Sequence, residues 1–163
     1  MTPIPAAGLL IGVLCSLWMF MMGFTGWYKD PSKLNLFFIV IIILMGGLIW
    51  GLRRTAAQGR TYSGQVVAGA QMAFVAGLVI FVASLLFTAT FPEYFDEVNA
   101  TFRQMMLKEG KTEAEIQAML DAAAPSQTPI WNALTVSIGT IVRGIAATAL
   151  ISVWVRAERR VES

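Results

Sequence analysis

Four long apolar stretches dominate the chain, and nearly all of its charged residues lie between or beyond them. Each stretch has about 19 to 27 residues, and about 20 helical residues cross the hydrocarbon core of a bilayer. The apolar fraction of 56% is far from that of a soluble domain of this length. The sequence therefore predicts an all-α, polytopic membrane protein that forms a single membrane domain over residues 1–163. The predicted transmembrane helices are about residues 6–28, 34–52, 64–90 and 129–155.

Basic residues near the spans predict the orientation of the chain. The arginines cluster in the second connection and the C-terminal tail, at Arg53, Arg54, Arg60, Arg156, Arg159 and Arg160, whereas the short first connection carries Lys29, Asp30 and Lys33. The positive-inside rule places the arginine-rich segments, and with them both termini, in the cytoplasm. The first and third connections then face outward. Since basic residues near the inner surface also attract anionic lipid, Arg53, Arg54 and Arg60 are candidate contacts for lipid headgroups.

The third connection is predicted to be an extracytoplasmic amphipathic helical hairpin, at about residues 92–124. Apolar residues recur in it at helical spacing, and Gly110 separates two such segments. Thr112 and Glu115 form a capping-box pattern at the start of the second helix, and Pro125 ends that helix. The apolar face of the hairpin must lie on something. The candidates are the outer headgroup layer, the tops of the spans and a partner protein.

Small residues recur at intervals of four in every span. They are Gly8 and Gly12; Gly47 and Gly51; Gly69, Ala73 and Gly77; and Thr140, Gly144, Thr148 and Ser152. This spacing lets helix backbones approach closely in lipid. Two interpretations follow, which are packing within one bundle and homodimerisation through one of these faces.

Arg143 lies near the middle of the fourth span, where an arginine costs roughly 2.5–3.5 kcal/mol on insertion scales. No span contains Asp or Glu, so no carboxylate of the chain lies at that depth. Ser16 and Gly77 fall at a similar depth on other spans and could leave space for the guanidinium. Three explanations remain: the side chain bonds to hydroxyls, carbonyls and water; it meets a carboxylate of another subunit; or it binds an anionic ligand in a polar interior cavity.

Catalytic chemistry has little support in the sequence. The chain has no histidine, the commonest general base and metal ligand, and only one cysteine, Cys15. The methionines at positions 19, 21 and 22 favour packing over copper binding, because no Cys or His accompanies them closely. We expect no enzyme activity, no catalytic residue, no metal, no cofactor and no nucleic-acid partner.

Five short motifs resemble a family of small bacterial four-span membrane proteins classified only as a domain of unknown function. The motifs are GFTGWY at 23–28, GLR at 51–53, SLLFT at 84–88, AAAP at 122–125 and QTP at 127–129. The resemblance extends from Gly8 to about Val155. It implies bacterial origin and a four-helix plan, and hence a multi-pass protein of the bacterial inner membrane. It implies no catalytic residues.

Two functional hypotheses follow from these observations. The first is a non-enzymatic structural or interaction subunit that contacts membrane lipids and associates with itself or with another membrane protein, through the hairpin and the small-residue faces. The alternative is a small carrier, or a lipid- or anion-binding protein, with Arg143 as the anion-binding group in an interior cavity. The surroundings of Arg143 distinguish them.

Overall fold

The computed structural model describes the backbone of residues 2–161 and the side chains of residues 2–155, and this part of the chain contains helices and no strands. The side chains of Arg156, Arg159 and Arg160 lie outside the described part. The α-helices are α1 (Pro3–Thr25), α2 (Ile39–Ala56), α3 (Tyr62–Thr90), α4 (Tyr94–Lys108), α5 (Glu113–Ala123) and α6 (Pro129–Val161). Three 3₁₀ segments occur at Trp27–Lys29, Pro31–Phe38 and Ala124–Ser126.

Four helical segments are long and apolar enough to cross a membrane: Pro3–Thr25, Pro31–Ala56, Tyr62–Thr90 and Pro129–Val155. The predictions of an all-α fold and of four helices long and apolar enough to span a membrane are confirmed for the described residues, consistent with a multi-pass membrane protein. The second segment joins a 3₁₀ turn to α2. Within the bundle, α3 packs most extensively on α6 and α1, while α2 contacts α1, α3 and α6.

Gly26 and the capping residue Asp30 determine the conformation of the link between the first two spans. Gly26 has φ 66°, a left-handed conformation that ends α1 at Thr25, although the sequence predicts a helix as far as Tyr28. The side chain of Asp30 then accepts a hydrogen bond from the Ser32 backbone at 2.9 Å and caps the 3₁₀ segment that leads into α2.

The small residues of the spans face neighbouring helices of the same bundle. A Cβ on Gly8 would lie 2.6 Å from Val75 Cβ, and one on Gly12 would lie 2.6 Å from Val79 Cβ. The backbone of α1 therefore packs directly on side chains of α3. Gly144 lies against Ala73, and Gly69 against Thr148, along the contact of α3 with α6. The interpretation as intramolecular packing is confirmed at these positions.

Side-chain hydrogen bonds join the packed spans along their length. Ser137 donates to the carbonyl oxygen of Gly77 at 2.8 Å, and Tyr62 donates to that of Ala149 at 3.2 Å, both between α3 and α6. The Asn132 amide donates to the Ser84 hydroxyl at 3.2 Å. Such bonds fix the antiparallel register of α3 and α6, since a shifted register would leave buried polar groups unpaired.

Helices α4 and α5 lie between α3 and α6 in the sequence; α4 contacts the first connection, and α5 packs on α4. Gly110, with φ 81°, allows the reversal between them. The capping box predicted at the start of α5 is present, with the Thr112 and Glu115 side chains each bonded to the other residue's backbone. An ion pair of 2.5 Å links Arg103 of α4 to Glu113 of α5.

Candidate functional site

Arg143 lies on the outer surface of the bundle, where its side chain is exposed. The face of α6 that packs inward carries Thr140, Gly144 and Thr148, all buried. One helical residue turns the side-chain direction by about 100°, so Arg143 points away from that face. The hypothesis of an interior cavity around Arg143 is therefore wrong for this bundle, and the carrier hypothesis built on it loses its support.

Ser16 and Gly77 do not join Arg143 in a site. Half-buried Ser16 donates to the Gly12 carbonyl oxygen of its own helix at 2.7 Å and borders an apolar groove between α1 and α3. Gly77 is buried, and a Cβ there would lie 2.6 Å from the Ile141 side chain. The space at Gly77 is thus filled by α6, and its role is close helix packing.

The guanidinium of Arg143 folds back over Gly139, one turn toward the start of α6. A Cβ on Gly139 would lie 3.4 Å from Arg143 Nη2, so the absent side chain leaves room for the charged group. Within residues 2–155, no hydrogen bond or ion pair reaches Arg143. The exposed residues Thr135 and Ala146 flank this position on the same side of the helix. The result is a face of small residues around an unpaired cation.

Two exposed tryptophans indicate how deep this face lies in a membrane. Trp131 and Trp154 sit near the two ends of the fourth span, where indoles prefer the interface. At 1.5 Å per residue, Gly139 is about 12 Å further along the helix axis than Trp131, and Arg143 is about 17 Å from Trp154. Arg143 is therefore near the middle of this candidate span, and its guanidinium folds toward the Trp131 end.

The candidate lipid contacts divide into two settings. Arg54 lies over the Trp50 ring with its Cζ 4.3 Å from the ring centroid, and Arg53 lies 5.0 Å from the Trp154 centroid. Arg60 is exposed in the connection between α2 and α3. The guanidinium groups of Arg53 and Arg54 lie on indole rings at the end of the bundle. They also line a shallow groove along α2, between Gly46 and Ala57, which Arg60 does not line.

At the opposite end, α4 is joined to the first connection by polar contacts that the sequence analysis does not predict. Glu97 accepts hydrogen bonds from the Tyr28 hydroxyl and from Lys29 Nζ, the latter at 2.5 Å. The hydrogen bond from Lys29 has the larger effect on the Glu97 carboxyl and that from Tyr28 the next, and both lower its pKa. Burial, followed by the bond to Glu97, raises the pKa of the buried Tyr28 phenol. The Tyr94 ring packs 5.2 Å from that of Tyr28 and 4.9 Å from Phe87, so this side of α4 lies on the tops of spans.

Groups that could perform metal-assisted chemistry are not assembled in the part of the chain that the structure describes. No three His, Cys, Asp or Glu residues come close enough there to hold a metal ion. The described structure instead exposes positive charge at Arg143 on a candidate span and at Arg53 and Arg54 near the C-terminal end of α2.

The α-helical fold and its four long apolar helices are consistent with a multi-pass membrane protein. Residues 7–157 match the model of the family described as "Protein of unknown function (DUF4199)", and the chain belongs to that family. The predicted membership in a family of unknown function is confirmed. No curated protein and no solved structure matches the chain.

Proposed function

We propose that the protein is a non-enzymatic subunit of a membrane complex, which binds another membrane protein through the face of α6 centred on Arg143. The observation that carries the proposal is an exposed guanidinium within a candidate membrane span, with no ion-pair partner among the described side chains. Such a charge is costly in lipid and is stabilised by an anionic partner at the same depth. Thr135, Gly139 and Ala146 beside it would let a second helix approach closely.

The absence of carboxylates from the four spans determines the kind of partner. A second copy of the chain brings only another Arg143 to this depth, because its Asp and Glu residues all lie outside the spans. Lipid phosphates lie at or beyond the level of Trp131, about 12 Å from Gly139 along the helix axis. The occupant that fits is a transmembrane helix of another protein that carries Asp or Glu near its middle.

The small-residue faces of α1 and α3 do not serve as a docking surface in this proposal. Gly8, Gly12, Gly69 and Gly77 each meet side chains of the same bundle. Because these glycines already contact side chains of their own bundle, they are not free to form a homodimer contact. We therefore assign the partner-binding surface to α6. The self-association hypothesis is therefore replaced by binding to a different protein.

The surrounding architecture is proposed as follows. The chain lies in a bacterial inner membrane with both termini in the cytoplasm, supported by the arginines near the ends of α2 and α6. Helices α4 and α5 form an extracytoplasmic amphipathic hairpin over the outer end of the bundle. Exposed Phe102, Leu107 and Met119 on these helices would contact the headgroup layer or the same partner.

Site-specific photocrosslinking in native membranes tests the proposal. A photoreactive residue replaces Val142, which is exposed beside Arg143, and a matched probe replaces Ile42, exposed on α2. We expect a protein adduct at position 142 whose crosslinked peptide contains Asp or Glu within an apolar segment. Arg143→Ala should reduce that adduct at least about tenfold, as loss of one buried ion-pair partner commonly costs more than 1.4 kcal/mol.

Two outcomes would contradict this function. One is an adduct at position 142 that contains only lipid. The other is a protein adduct that persists unchanged in Arg143→Ala, since the guanidinium would then contribute nothing to association. The probe at position 42 controls for random collisions in the membrane, and Arg143→Lys distinguishes the need for positive charge from the need for a planar guanidinium.

A further inference from the structure

A shallow groove runs along the lipid-exposed side of α2 toward its C-terminal end. It encloses about 390 Å³ and is lined by Gly46, Ile49, Trp50, Arg53, Arg54 and Ala57. Its walls are apolar except for the two arginines. A Cβ on Gly46 would meet no atom within 4 Å, so the groove is open at its deeper end.

The two guanidinium groups are held at one end of this groove by aromatic rings. Arg54 stacks on Trp50 within its own helix, while Arg53 reaches Trp154 on α6. The cation–π contact of Arg54 uses the face of its guanidinium and leaves N–H groups at the edge for a phosphate. Ordering by the rings also reduces the side-chain entropy that binding an anion would otherwise cost.

The shape and charge of the groove match one class of ligand. Arg54 and Gly46 are about 12 Å apart along the helix axis, so a charged group at Arg54 can continue into a hydrocarbon chain lying over Gly46. We propose that this groove binds one anionic phospholipid of the adjacent leaflet, with its phosphate at Arg54 and an acyl chain along α2 to Gly46. This site is independent of the proposed partner at Arg143.

Lipid titration of the purified full-length protein tests the site. Lipid-depleted protein in a neutral detergent receives phosphatidylglycerol or phosphatidylcholine with the same acyl chains, and native mass spectrometry counts the bound molecules. We expect one tightly bound phosphatidylglycerol and weaker binding of phosphatidylcholine. Arg54→Ala should weaken phosphatidylglycerol binding about fivefold, as one basic residue near a membrane surface contributes about that factor.

Two further variants separate a specific site from general attraction. Arg60→Ala removes the same charge from the neighbouring connection but lies outside the groove, and it should change the affinity less than about twofold. Gly46→Leu should fold normally, since its side chain meets open space on an exposed helix face. Leucine there would fill the groove and weaken phosphatidylglycerol binding about twofold or more, because the acyl chain loses its van der Waals contacts with α2.

The proposal is overturned if phosphatidylglycerol and phosphatidylcholine bind equally well. It is also overturned if Arg60→Ala weakens binding as much as Arg54→Ala, because diffuse charge would then explain the affinity. Unchanged binding by correctly folded Gly46→Leu would remove the acyl-chain contact and with it the site. Because the variants retain Arg143, failure here leaves the proposed protein partner unaffected.

Discussion

Single glycines determine how closely the spans of this bundle approach one another. At Gly8 the added methyl of alanine would lie 2.6 Å from Val75 Cβ and 2.7 Å from the Met72 carbonyl oxygen. Backbone oxygen cannot move aside without displacing α3. The glycine is therefore needed for its lack of a side chain and not for backbone freedom, and its environment contrasts with that of Gly46, which faces open space.

Alanine substitution at these two glycines should have opposite effects on stability. Gly8→Ala overpacks the contact between α1 and α3 and should lower the free energy of unfolding by about 1–3 kcal/mol. Gly46→Ala should be neutral or stabilise by up to about 1 kcal/mol, because alanine is the better helix former. Denaturant unfolding in mixed micelles measures both values. Equal effects of the two variants would contradict the packing described for α1 and α3.

Arg143 is the residue for which sequence reasoning identified the position but not the surroundings. Its depth follows from counting residues, which needs no tertiary structure. Its direction depends on which face of α6 packs against α2 and α3, and small residues occur on both sides of that helix. The buried stripe of Thr140, Gly144 and Thr148 decides the direction, and it leaves Arg143 outside.

At the scale of elements, α4 is attached to the bundle by a carboxylate that receives two side-chain hydrogen bonds. Lys29 and Tyr28 belong to the first connection, and Glu97 belongs to α4. Local patterns predicted the capping box at Thr112 and Glu115, because its partners are three residues apart. The Tyr28–Glu97 contact spans 69 positions of the sequence, and no local pattern encodes it.

The attachment of α4 should weaken in acid. The pKa of Glu97 is lowered in the folded protein, so folding favours the ionised carboxylate. The resulting stabilisation is present above the ordinary pKa of 4.5 and is lost as the pH falls through the lower folded value. The Tyr28 phenol stays neutral throughout this acidic range, so it does not change the pH dependence there. Its raised pKa lowers the stability of the folded state only in strong alkali.

Hydrogen exchange measured across this pH range tests the attachment. After correction for intrinsic rates, α4 should lose protection below about pH 4.5, while α3 remains protected. Glu97→Gln should expose α4 to exchange equally at all pH values. Glu115→Gln is a matched control, because it removes a carboxylate from the α5 cap and leaves the α4 attachment intact. Constant protection of α4 in the unmodified protein from pH 7 to pH 3 would refute the role of Glu97.

For the whole molecule, length and hydropathy were enough to predict four spans and an all-α fold. These features depend on the thickness of the bilayer, which every span must match. The register of α3 against α6 could not be predicted from the sequence, because hydrogen bonds such as that from Ser137 to Gly77 join residues far apart in the chain. The sequence indicated the groove on α2 only as a set of arginines, because the indoles that contact them are brought into place by folding.

The transmembrane arrangement on which both proposed surfaces depend is tested most directly by labelling from one side of the membrane. Single cysteines replace Gln58, between α2 and α3, and Glu109, between α4 and α5, in a Cys15→Ala background; both positions are exposed. A thiol reagent that cannot cross the bilayer is applied to intact cells and then to opened ones. We predict that Glu109→Cys reacts in intact cells and that Gln58→Cys reacts only after the cells are opened. Reaction of both cysteines in the same compartment would contradict it.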